Sequence, residues 1–203
     1  MKKHRIRTRK GRALALACAV VLLLAAAGFT GAYNFLPYQA LRAEMEAIGA
    51  GRMYVAAVKT DAPENARIYL LANDRVLMLA AVSFEPLSGW RSLVSGPMRR
   101  DETTPGCCAF TVRNGANRSM YLFGYAPPRD VRAEAFGGGG QTTGRLVLER
   151  CGEPGGEIFI AGAVQLNAGS ADAFEKVRFY TADGSPDSSS GGVLTDCIYY
   201  GAP

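Results

Sequence analysis

Histidine is nearly missing: in 203 residues the only imidazole is that of His4. The chain beyond it therefore has no Ser-His-Asp triad, no Cys-His nucleophile and no His-ligated metal site. Carboxylate chemistry stays open through Glu85, Asp101, Glu102 and Asp130, but no spacing pairs two of them, and each reads as a solvated loop charge. No catalytic, cofactor-binding or metal-ligating residue is assigned, no cofactor is expected, and no small-molecule substrate is identified. Repeats of fixed period are also missing, which excludes solenoids and propellers. Two stretches lack charge of one or both signs. The first twelve residues contain no acid, and no Asp, Glu, Lys or Arg occurs from Ala13 to Leu41.

What fills those stretches fixes a topology. Lys2, Lys3, Arg5, Arg7, Arg9, Lys10 and Arg12 place seven of the 23 basic residues in the leader, leaving 16 against 18 acids beyond it. The pI near 9.0 belongs to the leader. With no Lys/Arg cluster after Arg12, nucleic-acid binding is not expected. Ala13 to Phe29 is an unbroken apolar run, and its Leu, Val and Phe residues favour insertion into lipid by about 2 to 5 kcal/mol. We expect a cytoplasmic basic leader over 1–12 and a transmembrane helix over 13–36, with the lipid bilayer as its partner. Tyr33, Phe35 and Tyr38 then sit where an outer aromatic belt lies. The positive-inside rule makes this a single-pass cell-membrane protein with its C-terminal domain extracytoplasmic. A cleaved signal peptide and a secreted product are the alternative, since "LAAAGF" and "TGAYN" offer small residues at a cleavage point. Cys18 reads as a small apolar filler.

After Pro37, Leu41, Met45 and Ile48 recur at i, i+4 and i+7 on one helical face that ends at Gly49 and Gly51. This predicts a short stalk helix over 37–51, its apolar face packed under the outer domain or laid on the membrane. The pattern then changes to short runs rich in Val, Leu, Tyr and Phe, divided by Gly, Pro, Asn and Asp. "MYVAAV" is the first. "ARIYLLANDRVLMLAAVSF" reads as a hairpin turning at Asn73-Asp74, and "CCAFTVRNGANRSMYLFGYA" as another turning at Asn114-Gly115. "DVRAEAF", "GRLVLER", "EIFIAGAVQL", "EKVRFYT" and "GVLTDCIYY" bring the total to about ten strands. The fold class is mainly β: an N-terminal membrane helix and a short stalk helix, then a single β-sandwich-like domain over 52–203. In "SMYLFGYA" both faces are apolar, which predicts a central strand covered on both sides. Gly124 within it suggests a bulge or a close backbone approach. "EPLSGWRSLVSGPMRRDETTPG" is read as a long link without a strand, with Ser88 capping a short helix to Val94. "FGGGGQTTG" reads as a flexible turn, and "DGSPDSSSGG" lacks the acid spacing of a calcium loop at Asp183 and Asp187.

The stretch "RSMYLFGYAPPRDVRAEAF", then "EIFIAGA" and "VRFYTADGS", resembles small single-pass extracytoplasmic β-domain proteins of Gram-positive bacteria. The shared features are a basic start, one membrane helix and an aliphatic-aromatic strand ending in Gly-Tyr. A Pro-Asp turn, here Pro128-Arg129-Asp130, and a late strand closing on Asp-Gly complete the set. The likeness covers residues 119–186 and implies a sandwich-like outer domain of unassigned role. No catalytic residue comes with it.

Four cysteines lie beyond the apolar run: Cys107, Cys108, Cys151 and Cys197. They do not match zinc knuckles, and export favours disulfides. A bridge between the neighbours Cys107 and Cys108 closes a strained ring, so each is expected to reach Cys151 or Cys197. Adjacent strand positions face opposite ways, which lets both be bridged. Free buried thiols and a redox pair at Cys107 and Cys108 are the other readings. Trp90, the only tryptophan, with Arg91, Arg99 and Arg100, is the candidate contact surface; the competing reading has Trp90 plugging the core. Together these features indicate a membrane-anchored extracytoplasmic binding module with a protein or cell-envelope partner. An accessory subunit docking through its membrane helix is the alternative, and a thiol oxidoreductase is less favoured.

Overall fold

The computed structural model describes residues 2–30, 33–60, 66–99, 107–114, 117–137, 142–152, 156–166, 174–187 and 194–198. They form two helices, α1 (Lys2–Phe29) and α2 (Pro37–Ala47), and eleven strands. The strands are β1 (Tyr54–Lys59), β2 (Arg67–Ala72), β3 (Val76–Glu85), β4 (Gly89–Arg99), β5 (Cys107–Asn114), β6 (Asn117–Tyr125), β7 (Asp130–Gly137), β8 (Thr142–Arg150), β9 (Ile158–Leu166), β10 (Phe174–Thr181) and β11 (Leu194–Ile198). The chain is mainly β with an apolar N-terminal helix. Within α1, Gly11–Gly28 has a mean hydropathy of 2.1 and no side chain buried against protein, so it is long and apolar enough to span a membrane or to act as a signal sequence.

The strands form two sheets. β1-β2-β3-β4 is an antiparallel meander, and β10-β7-β8-β9-β6-β5-β11 is a seven-stranded sheet, antiparallel except for the parallel pair β5/β11. A sandwich is not confirmed; the sheets are a curled half-barrel and an open sheet. Three features of the seven-stranded sheet account for its curl. The face lined by Ala109, Ala126, Ala133, Ala135 and Ala161 is filled by small side chains, with Phe159 and Phe179 edge to face at 5.6 Å. Strand β8 changes partner along its length, pairing through Val147 with β7 and from Leu148 with β9. Bulges interrupt the β6/β9, β7/β8 and β10/β7 ladders and add twist. The two edge strands, β10 and β11, come into contact as a result.

Period-2 alternation sorts the side chains into three apolar layers. Ile68, Leu70, Leu77, Leu79 and Ala81 of the smaller sheet share one cluster with Cys108, Tyr121, Phe123, Tyr125 and Ile160 of the larger. Met120, Leu122, Phe159 and Phe179 face the concave side of the curled sheet. Leu71, Met78, Ala80 and Val82 face the other way, against Ala40, Leu41 and Met45 of α2. The helix expected as a stalk thus packs on the sheet. Ser95 Oγ donates to Glu44 Oε2 at 2.8 Å, and Asn73 Nδ2 donates to the Ala50 carbonyl at 2.6 Å. Asn73 also shapes the β2–β3 turn, its Oδ1 accepting from the Arg75 and Val76 amides.

Two local expectations need correction. Residues 89–99, read as a link with a Ser88-capped helix, form β4, paired with β3 from Gly89 to Arg99. Pro97 and the glycines weaken the strand pattern, yet the edge position tolerates a missing donor and pairing overrides propensity. Gly124 sits in regular register with Cys107 and Phe159, and the β6/β9 irregularity falls between Met120 and Leu122 instead.

The free edge of β4 receives the segment that follows α1. Asn34 N donates to Ser88 O at 3.2 Å, Trp90 N to Asn34 O at 2.8 Å, and Asn34 Nδ2 to Trp90 O at 3.0 Å. Gly89 lies between them at φ +75, and a Cβ there would stand 2.2 Å from the Asn34 carbonyl oxygen. Gly89→Ala is therefore expected to cost about 1–3 kcal/mol, read as a lower unfolding midpoint in detergent and faster hydrogen exchange at the Trp90 amide. Leu41→Ala should cost about 2–5 kcal/mol, with exchange protection lost in α2 while β6 and β9 keep theirs.

Candidate functional site

The smaller sheet covers only part of the larger one. Its cluster reaches β5, β6 and β9, while the same face of β8, β7 and β10 extends past it. Lys59 of β1 pairs with Glu149 of β8 at this boundary. Beyond it the ladder brings together residues far apart in sequence. Arg178, Glu134 and Arg145 stand in one cross-strand row, and Tyr180, Arg132 and Val147 in the next.

Alternation explains the composition of this face. In "DVRAEAF" Ala133 and Ala135 are buried on the concave side, which turns Arg132, Glu134 and Phe136 outward. Glu134 is itself 8 % exposed and organises the patch: Oε1 meets Arg145 Nε at 3.1 Å, and Oε2 accepts from the Tyr180 hydroxyl at 2.6 Å. The Arg132 guanidinium lies 4.7 Å from the Tyr180 ring centroid, and that of Arg178 lies 5.5 Å from the Phe136 ring. Three guanidiniums from three strands thus share one face with Glu134, Arg145 paired to it and Arg132 and Arg178 over the Tyr180 and Phe136 rings, beside Val147, which is 71 % exposed. Stacked arginines keep their N–H edges in a fixed plane, suited to bidentate contact with carboxylates. The sequence has no run of basic residues here. Only the sheet register assembles them, and the clue in the sequence was the charged alternate position of each strand.

A second polar device braces the neighbouring turn. Arg150 donates from Nη1 to Ala126 O at 2.7 Å and Glu157 O at 3.1 Å, and from Nη2 to Pro127 O at 2.5 Å and Asp130 O at 2.6 Å. Burial lowers the pKa of this guanidinium, and the four carbonyls satisfy it, so its work is structural. Asp183 closes the next turn, accepting from Thr181 Oγ1 and from the Ser185 amide at 3.0 Å, contacts that hold its pKa below the ordinary carboxylate value. Asp187 is bound by Arg129 Nε at 2.7 Å.

The residues expected to form a contact surface do not converge. Trp90 is half-buried at the edge of the α2-side cluster, edge to face with Phe84 at 5.6 Å, and Arg67 covers its ring at 4.8 Å. Arg91 follows it on the opposite face of β4 and meets Glu85 at 3.3 Å. Arg99 ends the strand, about 30 Å along an extended chain, and Arg100 lies outside the described residues.

The cysteines also differ from expectation. Among the described residues no disulfide is formed. Cys107 and Cys108 do face opposite sides, one into the concave cluster and one into the layer between the sheets. Cys108 and Cys151 share that layer, but β6 and β9 stand between β5 and the end of β8. At about 4.8 Å per strand the two lie roughly 14 Å apart, twice the reach of a disulfide. Cys197 lies in β11 with its backbone beside Phe110; its side chain lies outside the described residues. Burial pushes the Cys107 thiol up to about 12 and raises that of Cys151, so neither is a ready nucleophile near neutrality.

Comparison with known proteins finds no family model, no curated protein and no solved structure that matches the chain.

The Cys107 shift carries a pH dependence. Up to its ordinary value of 9.0 the thiol is protonated in both states, and its burial contributes fully. Between 9.0 and about 12 only the unfolded chain ionises, so stability falls as pH rises, by up to about 1.4 kcal/mol per pH unit. Cys107→Ala should show a shallower fall than wild type in urea midpoints between pH 9 and 11. Equal slopes would contradict this.

Proposed function

We propose that the chain is a membrane-anchored extracytoplasmic interaction module, held by α1 and recruiting an acidic protein partner through the outer face of β7, β8 and β10. The observation that carries this reading is that Arg145, paired with Glu134, and Arg132 and Arg178, held over the Tyr180 and Phe136 rings, share a face beyond the reach of the smaller sheet's cluster. Arginine and tyrosine are the residues that most often supply binding energy at protein interfaces. The reading is non-catalytic: the part beyond the leader lacks histidine, and burial raises the pKa of the Cys107 and Cys151 thiols.

Retention of α1 as an anchor is part of the same proposal, with the basic leader inside and the β portion outside. The supporting features are the seven basic residues before the apolar run and the aromatic residues just after it. The extracytoplasmic β-domain proteins resembled by residues 119–186 share this layout.

A photocrosslinking residue at Val147 in intact cells tests the interaction. It is expected to give a discrete adduct that Arg145→Glu with Arg178→Glu reduces at least tenfold, read at a temperature where circular dichroism shows the double variant folded, since loss of the Arg145–Glu134 pair lowers its unfolding midpoint. Adducts unchanged by the double reversal would refute the arginine face. An impermeant reagent that labels a C-terminal tag only after lysis would refute the topology.

A further inference from the structure

Five exposed large apolar side chains gather in one region, apart from Ile48, Tyr54, Val55, Val58, Val131 and Val147. Leu87 at 96 %, Leu36 at 61 %, Phe84 at 48 %, Phe35 at 44 % and Tyr38 at 42 % all lie within a few residues of the junction between α1 and the β portion or at the β3–β4 turn. Named contacts bring these two places together. Phe35 lies against the last turn of α1: a Cβ on Gly28 would stand 2.6 Å from its Cε2. Tyr33 stacks beside Phe35 at 4.8 Å and donates from its hydroxyl to Pro86 O at 3.4 Å. Asn34 binds Ser88 and Trp90 across the same turn. The β3–β4 turn is thereby fixed next to the end of the apolar helix, with Leu87 at its tip.

We infer that this turn and the junction form a collar that rests in the outer headgroup region of a phospholipid bilayer, with the Leu87 side chain entering the upper acyl chains. The occupant is lipid because the patch is continuous with α1, whose apolar surface has no protein cover. Phe35 shares the depth of the last helical turn, where aromatic rings favour the interface. The ion pair at the base of the turn, Glu85 with Arg91 at 3.3 Å, is internally neutral, which lowers the cost of approaching headgroups. The collar sets the tilt of the β portion on the membrane through a second attachment point besides the helix. The inference rests on α1 being a retained, spanning helix.

The test uses the full chain in phosphatidylcholine vesicles. Leu87→Trp combined with Trp90→Phe leaves one indole, at the tip. Phosphatidylcholine brominated near the top of the acyl chains is expected to quench it by more than half, while aqueous iodide quenches it at least threefold less than an indole placed by Val147→Trp in the same background. Emission quenched by iodide as strongly as at the Val147 position, or shielded equally with and without brominated lipid, overturns the collar; the second result points to a protein or a second copy. If the double variant does not fold, Leu87→Trp alone should add to the Trp90 emission a component that the brominated lipid quenches, and quenching no greater than in the wild type overturns the proposal. Alkaline carbonate separates the two readings. Release from the vesicles defeats the spanning helix, whereas retention with a water-exposed tip defeats only the collar.

Discussion

A strand with apolar side chains on both faces must be covered on both faces, and β3 and β6 are long strands of this kind. In β3, Leu77, Leu79 and Ala81 point one way and Met78, Ala80 and Val82 the other, all fully buried. In β6, Tyr121 and Phe123 oppose Met120 and Leu122, again fully buried. One layer between the sheets satisfies only half of this demand. The other faces require α2 on one side and the self-curling of the larger sheet on the other. The whole stacking order follows from these two strands.

The curl and the arginine face have a common cause. Alanines at alternate positions of β7 make room for a tight concave interior, and the same alternation sends Arg132 and Glu134 outward. Because the smaller sheet has only four strands, it covers β5, β6 and β9 and leaves β8, β7 and β10 bare. Arg145 and Arg178 stay exposed there while the buried Glu134 is held by Arg145 and Tyr180, and the charges are spaced by strand register. Asn34 adds to the edge of β4, so the region after α1 and the sheet meet through paired backbone groups.

Much of the fold was legible. The apolar run, the β2–β3 and β5–β6 hairpins and the two-sided burial of "SMYLFGYA" all lie where alternation and turn residues put them. The reading failed where pattern and environment part company. β4 carries Gly89, Gly96 and Pro97, weak strand formers whose placement depends on the whole length of β3 being available as a partner. The disulfide expectation was argued from compartment and counting, and those arguments carry no distance; two intervening strands separate Cys108 from Cys151. Trp90 and its neighbouring arginines looked like a group because they are close in sequence, whereas alternation along a strand separates them.

The arginine face was hidden for a related reason. A search for basic runs finds the leader and nothing later, since Arg132, Arg145 and Arg178 are scattered single charges in one dimension. The sequence by itself determined which faces are apolar, where the membrane-competent helix lies and which residues alternate, because these depend on local spacing and transfer free energy. Which strands became neighbours, how far the sheet curled and which charges came to share a face were decided by the tertiary structure, because they depend on pairings between segments tens of residues apart that no local pattern specifies.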